Sequence, residues 1–218
     1  MPRCFDLICF DWDGTLFDST AAITRAIQHA VRDVGGTPPD DATAAWVIGM
    51  ALAPALLRVA PDVPPEKYPE LADRYRYHYS RLAGQVMLFA GVREMLAQLR
   101  ERGHLLAIAT GKSRAGLDAA LRQAQLETSF DASRTADESA GKPDPKMLHE
   151  LMDLFGTPPE RTLMIGDTSH DVDMAQRAHC AAVAVAYGAH TAGSLLAYSP
   201  RFVAPSVAAL RQWLLENA

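Results

Sequence analysis

Short apolar segments separated by helical patterns constrain the fold of this chain more than any other feature. Four have the length of buried strands and two are weaker, and they lie at residues 7–10, 105–109, 162–165, 182–186, 130–132 and 201–203. The four stronger segments are apolar throughout, which is typical of strands covered by helices on both faces of a sheet. Because helical patterns alternate with them, the chain consists of βαβ units. The sequence therefore predicts an α/β fold with a Rossmann-like parallel sheet.

Residues 18–84 interrupt this alternation, because they contain helical patterns and no strand signal. N-cap side chains at 18–20 precede an apolar stripe at helical spacing, and glycines and prolines separate the helices that follow. We expect an all-helical cap at 18–84, inserted into a discontinuous core formed by 1–17 and 85–218. Since the insertion follows the first strand directly, it should lie as a lid over the carboxyl edge of the sheet.

Charge and composition exclude several classes of function. The 218 residues carry a net charge of −5, whereas a nucleic-acid-binding protein needs a basic face. No apolar run reaches membrane-spanning length, and the acidic N-terminal stretch does not resemble a signal peptide. Three cysteines without metal-type spacing fit a reducing compartment. We therefore expect a cytoplasmic protein that binds neither nucleic acid nor membrane.

Two aspartates, Asp11 and Asp13, directly follow the first strand. At a spacing of two, both carboxylates can point into one small space. Carboxylates that close repel each other unless a cation or a proton lies between them. Two solvated turn residues are the plain alternative, but the Gly14-Thr15-Leu16 that follows makes it a poor one. The pair indicates a metal-assisted site in which one carboxylate could attack an electrophile.

Further polar clusters lie where strands end or a helix begins, namely Thr110-Gly111, Lys142, Asp167 and Asp171. Each has an ordinary explanation by itself, as a helix cap, a loop lysine or a turn residue. However, the carboxyl ends of parallel strands meet at one edge of the sheet, where ligands bind. We therefore expect these clusters and the aspartate pair to form one site.

This combination of residue types suits the hydrolysis of a phosphate ester. Such a reaction needs a nucleophile, a proton donor for the leaving alcohol, and cations around the phosphoryl oxygens. Asp11 can attack and Asp13 can donate and later accept a proton. Asp167 can complete a Mg²⁺ site, because Mg²⁺ prefers oxygen ligands. The phosphoryl oxygens can be held by the Thr110 hydroxyl, the Gly111 amide and the Lys142 ammonium.

In chain order, these motifs resemble the four motifs of the haloacid dehalogenase-like hydrolases. The matching residues are Asp11-x-Asp13-Gly14-Thr15-Leu16, Thr110-Gly111, Lys142-Pro143 and Gly166-Asp167-x-x-x-Asp171. The resemblance covers essentially the whole chain, and the helical insertion is similar to the cap of the phosphoglycolate phosphatase-like branch.

The resemblance implies a role for each of these residues. Asp11 would form an aspartyl-phosphate, and Asp13 would act as general acid and base. Mg²⁺ would be bound by the Asp11 and Asp167 carboxylates and by the main-chain carbonyl of Asp13. Asp171 would position Lys142 or the waters of the metal.

Several alternatives stay open at this point. A phosphosugar mutase shares every core motif and differs in its cap. A metal-independent 2-haloacid dehalogenase is disfavoured, because it requires neither Asp13 nor the pair Asp167 and Asp171. Phosphoglycolate is the leading substrate only through the resemblance, and the oligomeric state is undetermined.

Some other side chains near the motifs are expected to be structural. Trp12 should pack on the far side of the first strand, and His170 should be a solvent-facing loop residue. Tyr75 and Tyr79 lie at helical spacing in the cap, where packing is more common than substrate contact. Substrate selection by the loop around residues 49–50 or by this tyrosine face is a further hypothesis.

Overall fold

The computed structural model describes residues 4–218, which form a six-stranded sheet and ten α-helices. The strands are β1 (Leu7–Phe10), β2 (Leu105–Thr110), β3 (Ala132–Thr135), β4 (Thr162–Gly166), β5 (Ala181–Val185) and β6 (Phe202–Ala204). The helices are α1 (Thr20–Asp33), α2 (Asp41–Trp46), α3 (Leu52–Val59), α4 (Tyr68–Ala83), α5 (Val92–Glu101), α6 (Arg114–Ala124), α7 (Lys146–Phe155), α8 (Ser169–Arg177), α9 (Ala192–Leu196) and α10 (Val207–Asn217).

All neighbouring strands are parallel, in the order β3-β2-β1-β4-β5-β6. In the central strand, Phe10 is paired with Ile108 of β2 and with Ile165 of β4. The chain runs outward from β1 in both directions, through β2 and β3 on one side and through β4 to β6 on the other. The crevice at the carboxyl end of β1 is therefore where ligands bind in such a sheet. The α/β Rossmann-like sheet expected from the sequence is confirmed.

Helices cover both faces of the sheet, which explains why its strands are apolar throughout. Ile8 and Phe10 point to the face covered by α5, α6 and α10, whereas Leu7 and Cys9 point to the face covered by α7 and α8. Alternate side chains of a strand point to opposite faces, so both sets are buried. Trp12 continues the first set, packing against Phe17 and Phe130 with ring centroids 5.4 Å and 6.5 Å away.

The segment from α1 to α4 consists of helices and has a hydrophobic core of its own. Ile23, Ile27 and Val31 form the buried stripe of α1, which packs mainly against α4 and shares one hydrophobic cluster with Leu56 of α3 and Leu71 of α4. Prolines and glycines separate the helices, as expected. Among the described residues, no helix is long and apolar enough to cross a membrane.

The differences from the sequence-based expectations are small. Strand β3 lies at Ala132–Thr135, a few residues beyond the expected 130–132, because residues 107–110 of β2 pair with 132–135. The short helix α9 was not expected. Ser19, expected to cap α1, makes no side-chain capping bond; its hydroxyl donates instead to Asp13 Oδ1 at 2.6 Å.

Candidate active site

The carboxyl edge of the sheet brings together all the site residues expected from the sequence. Asp11 follows β1, Thr110 ends β2, and Asp167 follows β4. Lys142 lies in the segment between β3 and α7, and Asp171 lies in the first turn of α8. All five are almost fully buried. The sheet topology therefore brings motifs that are far apart in the chain together into one buried cluster of polar and charged side chains.

Lys142 links two of the buried carboxylates. Its Nζ lies 2.7 Å from Asp11 Oδ1 and 2.6 Å from Asp171 Oδ1. Burial alone would lower the pKa of Lys142, but the two carboxylates outweigh that effect and raise it. The two carboxylates therefore favour the charged ammonium, which lies beside Asp11, where a phosphoryl group attacked by Asp11 would carry negative charge.

Asp167 is held rigidly beside this pair. Its Oδ1 accepts a hydrogen bond from the Thr15 hydroxyl at 3.0 Å, and its Oδ2 accepts one from the Ala189 amide at 2.7 Å. Gly14 allows the close approach: a Cβ there would lie 2.1 Å from Asp167 Oδ2, and its φ of +78° is one that other residues rarely adopt. The glycine of the first motif thus makes room for the aspartate of the fourth.

The three carboxylates of Asp11, Asp167 and Asp171 fit a divalent cation. An oxygen from each lies within 4.8 Å of the others. Asp11 Oδ2 is buried and accepts no hydrogen bond from any residue between 4 and 218. Burial raises the pKa of Asp11 to about 7 and that of Asp167 well above its usual range, because burial disfavours the negative charge of each carboxylate. A hard, oxygen-preferring ion such as Mg²⁺ matches this set of ligands.

The Asp13 carboxylate is outside this three-carboxylate group. Lys112 Nζ lies 2.9 Å and 2.8 Å from its two oxygens, and the Ser19 hydroxyl donates to Oδ1. Lys112 also donates to the Tyr79 hydroxyl of α4 at 3.2 Å. The two aspartates of the first motif therefore have different partners: Asp11 faces Lys142, and Asp13 faces Lys112 and the helical segment.

Comparison with known proteins identifies the family. The family model described as haloacid dehalogenase-like hydrolase matches residues 8–185, which is most of the chain. The chain belongs to the haloacid dehalogenase-like hydrolases. The resemblance seen in the four motifs is confirmed.

Three curated relatives are similar over most of their length. The chain is 35% identical over 202 residues to the probable phosphatase IndB of Dickeya dadantii, covering 90% of this chain and 88% of that protein. It is 32% identical over 217 residues to a 5'-nucleotidase of Pseudomonas aeruginosa, covering 95% and 94%. It is 29% identical over 198 residues to a phosphoglycolate phosphatase of Mannheimia succiniciproducens, covering 86% and 88%.

In this hydrolase, the loop between α2 and α3 packs directly on the second motif. A Cβ at Gly111 would lie 2.4 Å from the Gly49 carbonyl oxygen and 2.5 Å from that of Met50. Thr110, next to Gly111, accepts a hydrogen bond from the Lys112 amide at 3.3 Å. Only a glycine permits this contact, so the helical segment is seated on the same residue that could donate an amide to a phosphoryl oxygen.

His170 was wrongly expected to be a solvent-facing loop residue. It lies in α8, is only 6% exposed, and donates from Nε2 to the Trp46 carbonyl at 3.0 Å. His190 donates from Nε2 to the same carbonyl at 3.1 Å, because its Nδ1 accepts the Ser169 amide. Burial lowers the pKa of both histidines. Together they anchor the end of α2 to the sheet edge.

Sequence reasoning missed Lys112 as a neighbour of the site, whereas it named Tyr79 as a possible substrate-facing residue but preferred packing. Lys112 follows Thr110-Gly111 directly, and this adjacency was the available signal. Tyr79 belongs to the tyrosine row for which packing was preferred, and its ring does stack on Tyr75 with centroids 6.0 Å apart. Its hydroxyl nevertheless reaches Lys112, so the same side chain packs and lines the site.

Proposed function

We propose that this hydrolase is a Mg²⁺-dependent phosphatase that cleaves a small phosphate ester through a phosphorylated Asp11. One observation carries the proposal: Asp11 is buried beside the Lys142 ammonium, and its Oδ2 accepts no hydrogen bond from any described residue. Such an oxygen is free for a metal ion or for attack on phosphorus. The names of the relatives, two of which are phosphatases and one a 5'-nucleotidase, support the same reaction class.

The metal would be held by the carboxylates of Asp11 and Asp167 and by the main-chain carbonyl of Asp13. Asp171 would support it through Lys142, which it contacts at 2.6 Å. A bound Mg²⁺ supplies charge that screens the phosphate from the carboxylates and orients the phosphoryl group. The fit rests on three clustered carboxylates, two of them with raised pKa values.

The protein residues then divide the reaction into two steps. Asp11 attacks phosphorus and forms an acyl phosphate, while Asp13 gives its proton to the departing ester oxygen. Thr110, Gly111 and Lys142 hold the phosphoryl oxygens. Asp13, now a carboxylate, takes a proton from the water that attacks the acyl phosphate. This second step releases inorganic phosphate and restores both aspartates.

We propose that residues 18–84 act as a cap over a core made of 1–17 and 85–218. The contacts of Gly111 with the 49–50 loop and of Tyr79 with Lys112 support this division. A cap seated in this way would exclude bulk water from the acyl phosphate. Met50 lies in that loop and is a candidate for substrate contact.

Phosphoglycolate is the first substrate to test, since one relative is a phosphoglycolate phosphatase. The relatives do not share one substrate name, so the substrate class rests on the site of this chain. A cytoplasmic setting is part of the proposal and is supported by three free cysteines.

The decisive experiment combines a rate survey with two variants. Purified enzyme is assayed for phosphate release from phosphoglycolate, hexose phosphates and p-nitrophenyl phosphate, with Mg²⁺ or with a chelator. We expect Mg²⁺-dependent release that Asp11→Asn abolishes while circular dichroism stays unchanged. Asp13→Asn with p-nitrophenyl phosphate should accumulate protein heavier by one phosphoryl group, because the good leaving group needs no acid whereas the second step needs the base.

Three outcomes would contradict the proposal. Full activity of Asp11→Asn would exclude it as the nucleophile, and full activity in chelator would exclude the metal. Isomerisation of a hexose phosphate without net phosphate release would identify a phosphosugar mutase instead.

A further inference from the structure

A cavity of about 670 Å³ extends from the site into the helical cap. Its floor includes Asp13, Gly111 and Lys112. Asp13 is the proposed proton donor to the departing ester oxygen, so the first atoms of the leaving group must lie at this floor. The cavity is therefore continuous with the position that a leaving group must occupy. This step rests on the proposed function.

Most of the cavity wall is apolar, and Arg76, Ser113 and Asp137 are the polar exceptions away from the floor. The apolar walls are formed by side chains of α1, α3 and α4, among them Ile23, Ile27, Leu52, Leu56, Tyr75 and Tyr79. The two tyrosine rings are nearly parallel, with 18° between their planes. Such walls offer a flat aromatic surface and aliphatic contacts, and few hydrogen-bonding groups away from the floor.

The size of the cavity does not match a small polar leaving group. Pockets of roughly 300–1,000 Å³ typically enclose a ligand of drug-like size. Glycolate would fill a small part of this space and would leave water against apolar walls, which is unfavourable. The two cations of the lining already have carboxylate partners: Lys112 contacts both oxygens of Asp13, and Arg76 donates to Asp73 Oδ1 at 2.7 Å, so the glycolate carboxylate would have to compete for either of them.

We propose that this cavity is a leaving-group site for an alcohol with a large apolar or aromatic body. Its ester oxygen would lie beside Asp13, and its body would pack between the α1 and α3 side chains and the Tyr75–Tyr79 pair. The preferred substrate class is then a phosphate monoester of a bulky, largely apolar alcohol. Phosphoglycolate would be a poor substrate by comparison.

The test compares esters that all release primary alcohols, so that intrinsic leaving-group reactivity differs little. We use 2-naphthylmethyl phosphate, ethyl phosphate and phosphoglycolate, each with Mg²⁺. We expect kcat/KM to be about 100-fold higher for the naphthylmethyl ester than for ethyl phosphate, because burial of an aromatic body contributes only with the former. A ratio near one, or a preference for phosphoglycolate, would overturn the inference.

Two substitutions on α3 locate the effect. Leu52 lines the cavity, whereas Leu57 lies on the same helix outside it and is 54% exposed. Leu52→Trp should fill the cavity and reduce the naphthylmethyl-to-ethyl ratio about tenfold, and Leu57→Trp should leave the ratio unchanged. Tyr75→Leu removes part of the aromatic wall and should also lower the naphthylmethyl-to-ethyl ratio. This variant replaces Leu52→Trp in the test if Leu52→Trp does not fold.

Failure of this inference can be distinguished from failure of the proposed function. If wild-type enzyme cleaves ethyl and naphthylmethyl phosphate equally well and only with Mg²⁺, the phosphatase proposal stands and the leaving-group site is refuted. If no ester is cleaved, the phosphatase proposal itself fails. An equal drop of the ratio in Leu52→Trp and Leu57→Trp would show that the cavity does not select the leaving group.

Discussion

Lys142 illustrates how a single residue can make a buried acidic site possible. It lies between Asp11 and Asp171, and all three side chains are essentially inaccessible to solvent. Without the ammonium, two buried carboxylates would face each other with little compensation, and buried charges are tolerated only when they are paired. Under the proposed function the same ammonium would hold a phosphoryl oxygen, so stability and activity would both depend on this side chain.

Replacing Lys142 should therefore be costly. We expect Lys142→Met to lower the free energy of unfolding by about 3 kcal/mol, since removing one partner strands a buried charge, and to abolish phosphatase activity. Urea denaturation followed by circular dichroism measures the first effect. The matched control is Lys146→Met, because Lys146 is 58% exposed and lies 3.8 Å from Glu150, and such a pair should contribute less than about 1 kcal/mol. Equal losses in the two variants would contradict the interpretation.

Ser19 shows that the position of a residue in the sequence does not by itself determine its hydrogen-bond partner. Its position ahead of α1 predicts an N-cap, yet its hydroxyl donates to Asp13 at 2.6 Å. A capping hydroxyl would accept an N–H of the first turn, but the Ser19 backbone lacks the extended conformation of an N-cap, and its side chain is turned to the Asp13 carboxylate. The role of this side chain was therefore decided by a tertiary neighbour.

The contact between the α2–α3 loop and Gly111 is the central feature at the scale of elements. Gly111 follows β2, and the loop carbonyls of Gly49 and Met50 approach it more closely than any side chain would permit. Trp46, at the end of α2, is fixed to the sheet edge by His170 and His190. The helical segment is thus positioned by backbone contacts on one side and by two imidazoles on the other.

A methyl group at Gly111 should displace the cap loop. We expect Gly111→Ala to reduce kcat/KM at least about tenfold, because small misplacements at a site are costly in rate, and to lower the melting temperature, because the new Cβ would clash with two backbone carbonyls. Gly193→Ala is the control, since a Cβ there would meet nothing within 4 Å. Phosphate release and differential scanning calorimetry measure both quantities. Wild-type activity of Gly111→Ala would show that the loop contact does not matter for catalysis.

A second link between elements makes stability depend on pH. Arg114 of α6 contacts Glu138 beyond β3 at 2.6 Å, and this interaction lowers the pKa of Glu138 to about 2. A carboxylate with a lowered pKa stabilises the fold above its unfolded pKa of 4.5, and this contribution is lost as the pH falls toward 2. The stabilisation by this part-exposed pair should therefore be present at neutral pH and decline in acid.

The substitution Glu138→Gln tests that link. We expect this substitution to lower the free energy of unfolding by roughly 0.5 kcal/mol at neutral pH, a small effect because solvent screens the pair. The effect should become progressively smaller as the pH falls from about 5 to about 3. Urea denaturation across this range provides the measurement, with the exposed Glu127→Gln as control. A cost that does not depend on pH would assign the effect to packing instead.

At the scale of the whole molecule, three hydrophobic clusters meet around one charged site. Two lie on the opposite faces of the sheet and the third lies inside the helical segment. The acidic cluster at their junction is destabilised by its own burial, as the raised pKa values of Asp11 and Asp167 show. A bound divalent cation should consequently stabilise the entire fold.

Mg²⁺ should raise the melting temperature in a concentration-dependent way. Linkage predicts a gain of about 2.7 kcal/mol at a hundred times the dissociation constant. Asp167→Asn should abolish the shift, whereas Asp153→Asn, an exposed change on α7, should not. Calorimetry with and without Mg²⁺ measures this independently of turnover. A full shift in Asp167→Asn would exclude Asp167 as a metal ligand.

The sequence by itself determined the sheet and the family, and it predicted which polar residues meet at one edge of the sheet. The sequence predicted that Asp11, Thr110 and Asp167 lie close together, because parallel strands place their carboxyl ends on one edge of the sheet. Local patterns were sufficient to place a site residue wherever that residue directly follows the end of a strand. Strand β3 was less well placed, since its limits depend on pairing with β2 and not on its own composition.

Only the tertiary structure decided which partner each side chain has. The pairing of Asp13 with Lys112, the reach of Tyr79 to that lysine, and the burial of His170 all arise across the contact between the helical segment and the sheet. Hydrophobic periodicity indicates which face of a helix is buried, but not what lies opposite that face. Partner choice depends on how the helical segment, with its own hydrophobic core, packs on the sheet, and no short-range pattern in the chain carries that information.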